Sequence, residues 1–173
     1  MGVFADNTPA HGLSTTLFQT DELVVLCTRS HPLARHKRVN FKSCLAHDFV
    51  GLNRGSSLLE LTSRAAEEAG MPMRLRVQVR SFDAMCHMIA ANLGIGVAPL
   101  AACRGQVEAL GLKAIRLEDA WATRRLLMAP RSNGEMSAAA ALLMSHLTVS
   151  EPPRLPADQP APARRKRATA PGV

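Results

Sequence analysis

Two short stretches of this 173-residue chain gather groups able to hold a small anion. In Asn53-Arg54-Gly55-Ser56-Ser57 an amide, a guanidinium and two hydroxyls stand side by side. They fall between a strand-like run and a helix-like run, at the carboxyl end of the strand. A helix N-terminus presents unpaired N–H groups and a partial charge of about half a unit, so a carboxylate finds both donors and a favourable field there. The guanidinium of Arg54 adds charge-assisted hydrogen bonding. Ser81-Phe82 opens a second helix, and its hydroxyl is placed equally for binding and for capping. Each stretch keeps a plainer alternative: an ordinary turn and cap with Arg54 turned to solvent, and Ser81 as a cap alone.

Other reactive residue types do not group. His31, His47 and His87 have no metal-ligand spacing with one another or with carboxylates, and Cys86 and His87 are adjacent on a helix and face different ways. The four cysteines, Cys27, Cys44, Cys86 and Cys103, form no CxxC pair and read as buried thiols. Gly94-Ile95-Gly96 follows a helix and enters a strand, the reverse of a dinucleotide fingerprint. No G-x-S-x-G elbow occurs. No metal, no cofactor and no catalytic residue is therefore expected, and the chain is not expected to be an enzyme.

The elements that must position these groups alternate. Leu23 to Thr28, Phe49 to Leu52, Leu75 to Val79, Ile95 to Ala98, Ala114 to Leu117 and Arg125 to Ala129 read as strands, in the rhythm of a mostly parallel α/β sheet. Leu58, Leu61, Ala65 and Ala69 recur at helical spacing behind a capping box of Ser57 with Glu60, and Gly70 and Pro72 stop that helix. Ser81 caps a helix with Phe82, Met85 and Ile89 on one face, and Gly94 is placed to end it as a left-handed residue. Leu100, Cys103, Val107 and Leu110 make a third stripe. A second capping box, Ser132 with Glu135, starts a helix that should bury Met136, Ala140, Leu143 and Leu147. Gly2-Val3-Phe4 reads as a buried parallel strand with nothing before it to pair with. Leu13 to Thr28 is an extended run long enough to pass from one lobe to another.

The net charge of +7 suggests nucleic acid until it is divided along the chain. Between Glu151 and Val173, Arg154, Arg164, Arg165, Lys166 and Arg167 face only Glu151 and Asp158, so this tail carries +3 and the body +4. Six of the eleven prolines sit there too, and residues 150–173 are expected to be a disordered basic Pro/Ala-rich tail. The body has five Phe, one Trp and no Tyr, without basic-aromatic interleaving, which disfavours direct nucleic-acid binding. No run approaches the roughly 20 apolar residues that span a bilayer, so no membrane partner and a cytoplasmic location are expected.

Three pieces resemble the effector-binding, or substrate-binding, domain of LysR-type bacterial transcription regulators. They are Thr20-Asp21-Glu22-Leu23-Val24-Val25-Leu26 with His31-Pro32-Leu33-Ala34; Phe49-Val50-Gly51 with Gly55-Ser56-Ser57; and Met88-Ile89-Ala90-Ala91-Asn92-Leu93-Gly94-Ile95-Gly96-Val97-Ala98-Pro99. The resemblance implies a periplasmic-binding-protein-like α/β fold, with two lobes joined at a hinge and a small-molecule effector between them. It implies a domain over 1–149, with a first-lobe remnant at 1–26 and 117–149 and a second lobe at 27–116. The chain returns to the first lobe near Leu117 to Ala122. The family's winged helix-turn-helix, linker helix and opening part of the first lobe have no counterpart before Gly2, so the first lobe is expected to be incomplete and specific DNA binding is not expected.

The same resemblance carries Asn53, Ser56 and Ser57 into the effector pocket by motif position, while Ala5 and Asp6 are placed towards the cleft only by following the first strand. Asn53, Arg54, Ser56, Ser57, Ser81 and Phe82 are the candidate effector-binding residues. The function implied is sensing of a small molecule, a carboxylate or amino acid, in transcription regulation. Partners would be that effector and a second copy of the chain or a full-length regulator. A stand-alone small-molecule-binding domain or a small α/β enzyme is the alternative, since fold alone does not fix function.

Overall fold

A computed structural model describes residues 2–6, 8, 10, 12–130 and 137–147. Its organising element is the long strand β2 (Thr16–Cys27). The first half of β2 pairs antiparallel with β8 (Thr123–Ala129), whose other edge pairs antiparallel with β1 (Gly2–Ala5). The second half, Leu23 to Cys27, pairs antiparallel with both β6 (Gly96–Pro99) and β7 (Lys113–Leu117). One strand thus runs through two lobes.

Leu23 to Cys27 is sealed from water at every position because layers cover both faces. Leu23, Val25 and Cys27 enter a core with Phe41, Leu58, Ala65 and Ile115. Val24 and Leu26 enter another with Met85, Ile89, Leu100 and Cys103. The first core lies under α1 (Phe41–Cys44) and α2 (Ser57–Glu68), the second under α3 (Phe82–Ala90) and α4 (Leu100–Ala109). The apolar stripes read from the sequence in α2, α3 and α4 face these cores.

The mostly parallel sheet does not form. Among the described residues, parallel pairing is confined to β3 (Arg38–Val39) on β7, β4 (Asp48–Leu52) on β5 (Arg74–Val79), and a single Phe49–Ile95 bridge. The reason is β2: it enters this lobe from the other one and runs against its neighbours. Nor is β1 a buried parallel strand without a partner. It pairs with β8 in antiparallel register, Gly2 and Val3 stay exposed, and only Ala5 is buried.

Local signals fare unevenly. Ser81 caps α3 by accepting the Ala84 N–H at 3.1 Å. The Ser57 capping box is absent, because the N-cap is Ser56, whose side chain makes no capping bond, and Ser57 is already helical. Gly70 stops α2 at a φ of +68°, with the Met71 N–H donating to Ala66 O at 3.1 Å. At the end of α3 it is Asn92, not Gly94, that takes the left-handed conformation, at φ 60°. Gly94 serves close approach instead: a Cβ there would stand 2.5 Å from the Asp48 carbonyl oxygen, where the chain passes β4.

The last described helix, α5 (Ala138–Leu147), has no fully buried residue; Leu142 and Leu143 are 62% and 47% exposed. The sequence predicts burial of Ala140, Leu143 and Leu147; Ala140 and Leu147 are half-buried and Leu143 is exposed. Ser132, Glu135, Met136 and the expected tail at 150–173 lie outside the described residues. No described helix is long and apolar enough to cross a membrane.

Candidate functional site

The end of β4, the start of α2 and the start of α3 face the β1–β8–β2 sheet across a cleft of about 400 Å³. That volume lies within the range of small-molecule sites, roughly 300–1,000 Å³. Ser56, Ser57 and Leu58 at the start of α2 form part of one wall, and Phe82 at the start of α3 adds an apolar surface. Pro99, Ala101 and Ala102 bring in the start of α4. The opposite wall comes from Phe4 and Ala5 of β1 and Leu126 of β8.

Three helix N-termini therefore converge on one space. Those of α2 and α4 carry no side-chain capping bond, since Ser56 does not cap and Pro99 has no group to do so. Their first-turn N–H groups suit a carboxylate, and their macrodipoles act in the same sense. The α3 terminus is partly satisfied by Ser81.

On the sheet side the lining includes Gln19, Asp21 and Arg124. Arg124 Nη2 donates to Asp21 Oδ2 at 2.6 Å, and the two residues stand at facing positions of β8 and β2. Asp21 is 4% exposed and Arg124 8%. A second ion pair, Arg116 to Glu22 at 3.1 Å, lies beside it where β2 passes between lobes.

Of the residues singled out from the sequence, the cleft brings together Ser56, Ser57, Phe82 and Ala5. Asn53, Arg54 and Ser81 are exposed and stand outside its lining. Arg54 borders a different hollow, beneath α2, with Met71, Met73 and Gln78. Asp6 is exposed, and its N–H donates to Arg125 O at 2.9 Å. Sequence reasoning missed Gln19, Asp21, Arg124 and the α4 terminus. The available signal was a charge at the rim of an apolar run, in Asp21-Glu22 before Leu23 and in Arg124-Arg125 before Leu126.

The cysteines are all free and buried, and the described residues contain no group of three His, Cys, Asp or Glu side chains placed to hold a metal ion. Burial pushes the Cys27 thiol up to about 11 and that of Cys44 up to about 12, with Asp119 and then Cys27 adding to the latter. A hydrogen bond from Cys103 holds Cys86 down, and the same contact raises Cys103. His31 is lowered by burial and then by His47, whose ring lies edge-on at 4.6 Å.

This two-lobed arrangement is shared with known proteins. The family model for the LysR substrate binding domain matches residues 1–150, and the chain belongs to that family. The transcriptional activator protein LysR of Escherichia coli (strain K12) is 32% identical over 91 residues, which are 53% of this chain and 29% of that protein. The chain thus matches less than a third of that relative's length. Among solved structures, the CcmR regulatory domain of Synechocystis PCC6803, in complex with 2-PG, aligns with a TM-score of 0.73 at 19% identity, covering 84% of this chain and 71% of that one. The effector binding domain of QuiR, in complex with shikimate, aligns at 0.69 and 18% identity, covering 84% and 68%. These likenesses establish the fold: α/β, two-lobed and periplasmic-binding-protein-like.

Proposed function

We propose that the chain senses a small carboxylate or amino acid in the cleft between its lobes, and that binding shifts the lobes' relative orientation within a larger LysR-family regulator. The observation that carries this reading is the convergence of the α2, α3 and α4 N-termini on one cleft of about 400 Å³. Ser56 and Ser57 supply hydroxyls, and Phe82 packs on the apolar part of the ligand. CcmR and QuiR, which share the fold, were solved with the small molecules 2-PG and shikimate, and a small molecule is the effector class proposed here. A ligand touching both lobes binds one relative orientation better than another, so it shifts the population by that difference.

In this reading residues 1–149 are the sensing domain, with lobe one at 1–26 and 117–149 and lobe two at 27–116. The reading is of binding without turnover: among the described residues, Asp21 and Arg124 are the only titratable ones lining the cleft, and they form an ion pair with each other. Partners are the effector and a second copy or a full-length regulator, acting in the cytoplasm. Specific DNA contact is left to other parts of such a regulator.

The test is a thermal-shift screen of the chain against small carboxylates, aromatic acids and amino acids, since a ligand that binds only the folded state raises its melting point. The expected result is a rise with one class of acid that disappears when Ser56→Ala and Ser57→Ala are combined. Unchanged affinity in that double variant removes the α2 terminus from the site.

A further inference from the structure

We infer that the effector is a monocarboxylate carrying a hydroxyl or ammonium group beside its carboxylate, and that Asp21 and Arg124 select for that group. The inference rests on the cleft being the effector site and specifies what the site takes. The 2.6 Å bond between these residues uses only Asp21 Oδ2 and Arg124 Nη2. Asp21 Oδ1 and Arg124 Nε are buried and have no hydrogen-bond partner among the described residues. Buried polar atoms are nearly always paired, and leaving them unpaired is costly, so this floor of the cleft is incomplete as it stands.

The two atoms ask for opposite things. A carboxylate oxygen takes a donor, and a guanidinium N–H takes an acceptor. The pair carries no net charge, and no other charged side chain among the described residues lines the cleft, so its floor does not favour a bare anion. A hydroxyl answers both atoms, and an ammonium answers Asp21 strongly. Both side chains keep a narrow open edge, 5% for Asp21 and 10% for Arg124, through which such a group meets them after a small side-chain rotation. The ligand's carboxylate then belongs at the uncapped α2 and α4 termini. Leu52, Phe82 and Leu126 leave an apolar surface for an aliphatic or aromatic remainder.

Matched ligands isolate the donor. By calorimetric titration of the whole chain, L-phenyllactate and L-phenylalanine are compared with 3-phenylpropionate, and L-leucine and 2-hydroxy-4-methylpentanoate with 4-methylpentanoate. A hydrogen bond to a charged buried group predicts that a donor-bearing member binds about tenfold to a hundredfold tighter than its partner. Asp21→Asn, which replaces an acceptor with an amide, and Arg124→Lys, which keeps the ion pair but removes Nε, should each erase most of that preference. Should either variant fail to melt cooperatively, the comparison on the unaltered chain decides alone. Equal affinity across each pair overturns the inference and leaves the cleft reading standing. Binding by no member of either set of three overturns it too, and the wider carboxylate screen with the Ser56 and Ser57 variants then judges the cleft separately.

Discussion

Arg124 and Asp21 meet at 2.6 Å across facing positions of β8 and β2, almost sealed from water, at the point where β2 leaves one lobe for the other. A buried ion pair adds little net stability, but removing one member strands the other charge. Arg124→Ala is therefore expected to cost about 3–5 kcal/mol in denaturant unfolding. Adding Asp21→Ala should recover part of that loss. A single-variant cost below about 1 kcal/mol would mean that water reaches the pair far more freely than its burial implies.

Ser81 and Ser56 precede helices in the same way but do different work. Ser81 caps α3, and Ser81→Ala should cost about 1 kcal/mol. Ser56 makes no capping bond, so Ser56→Ala should change stability by less than about 0.5 kcal/mol while weakening effector binding. Urea melts of the two variants, run side by side, check the contrast.

Gly94 is held at a φ of +152° with the Asp48 carbonyl 2.5 Å from where a Cβ would stand, and that neighbour is backbone. Gly94→Ala should lower stability by roughly 1–3 kcal/mol through strain and displacement of β4. Gly105, in α4 with open space around it, is the control: Gly105→Ala should stabilise the chain by about 0.5–1 kcal/mol.

The Cys27 and Cys44 thiols sit near 11 and 12 in the folded chain against an ordinary value of 9.0. Above pH 9 the unfolded chain gives up thiol protons that the folded chain keeps, so it binds fewer protons and stability falls as pH rises from about 9 to 12. Below pH 9 the contribution is fully present and flat. Cys44→Ala should flatten the alkaline limb of a stability-versus-pH curve; an unaltered slope would show that other groups control it.

Much of the second lobe is legible in the sequence because its signals are local. The stripes of α2, α3 and α4, the Ser81 cap and the Gly70 stop all lie within one or two helical turns. The opposed direction of β2 is not local: the strand-helix alternation of Phe49 to Ala98 implies parallel neighbours, whereas strand direction follows from the lobe out of which β2 arrives. The same holds for the cleft. Ser56, Ser57 and Phe82 are visible as helix starts, but Asp21 and Arg124 are 103 residues apart and meet only through the β2–β8 register. The stripe predicted for α5 places Leu143 with Ala140 and Leu147, whereas Leu143 is exposed and the other two are half-buried, because periodicity shows which residues can share a face and not what covers that face.

The most direct test of the central claim is a ¹H–¹⁵N correlation titration of the chain with the tightest carboxylate from the thermal-shift screen. Binding in the cleft predicts that the largest shifts fall on Ala5, Ser56, Ser57, Phe82, Ala101 and Leu126, from both walls at once. Shifts gathered instead on Arg54, Glu67, Met73 and Gln78, around the hollow beneath α2, or confined to one wall, would contradict it.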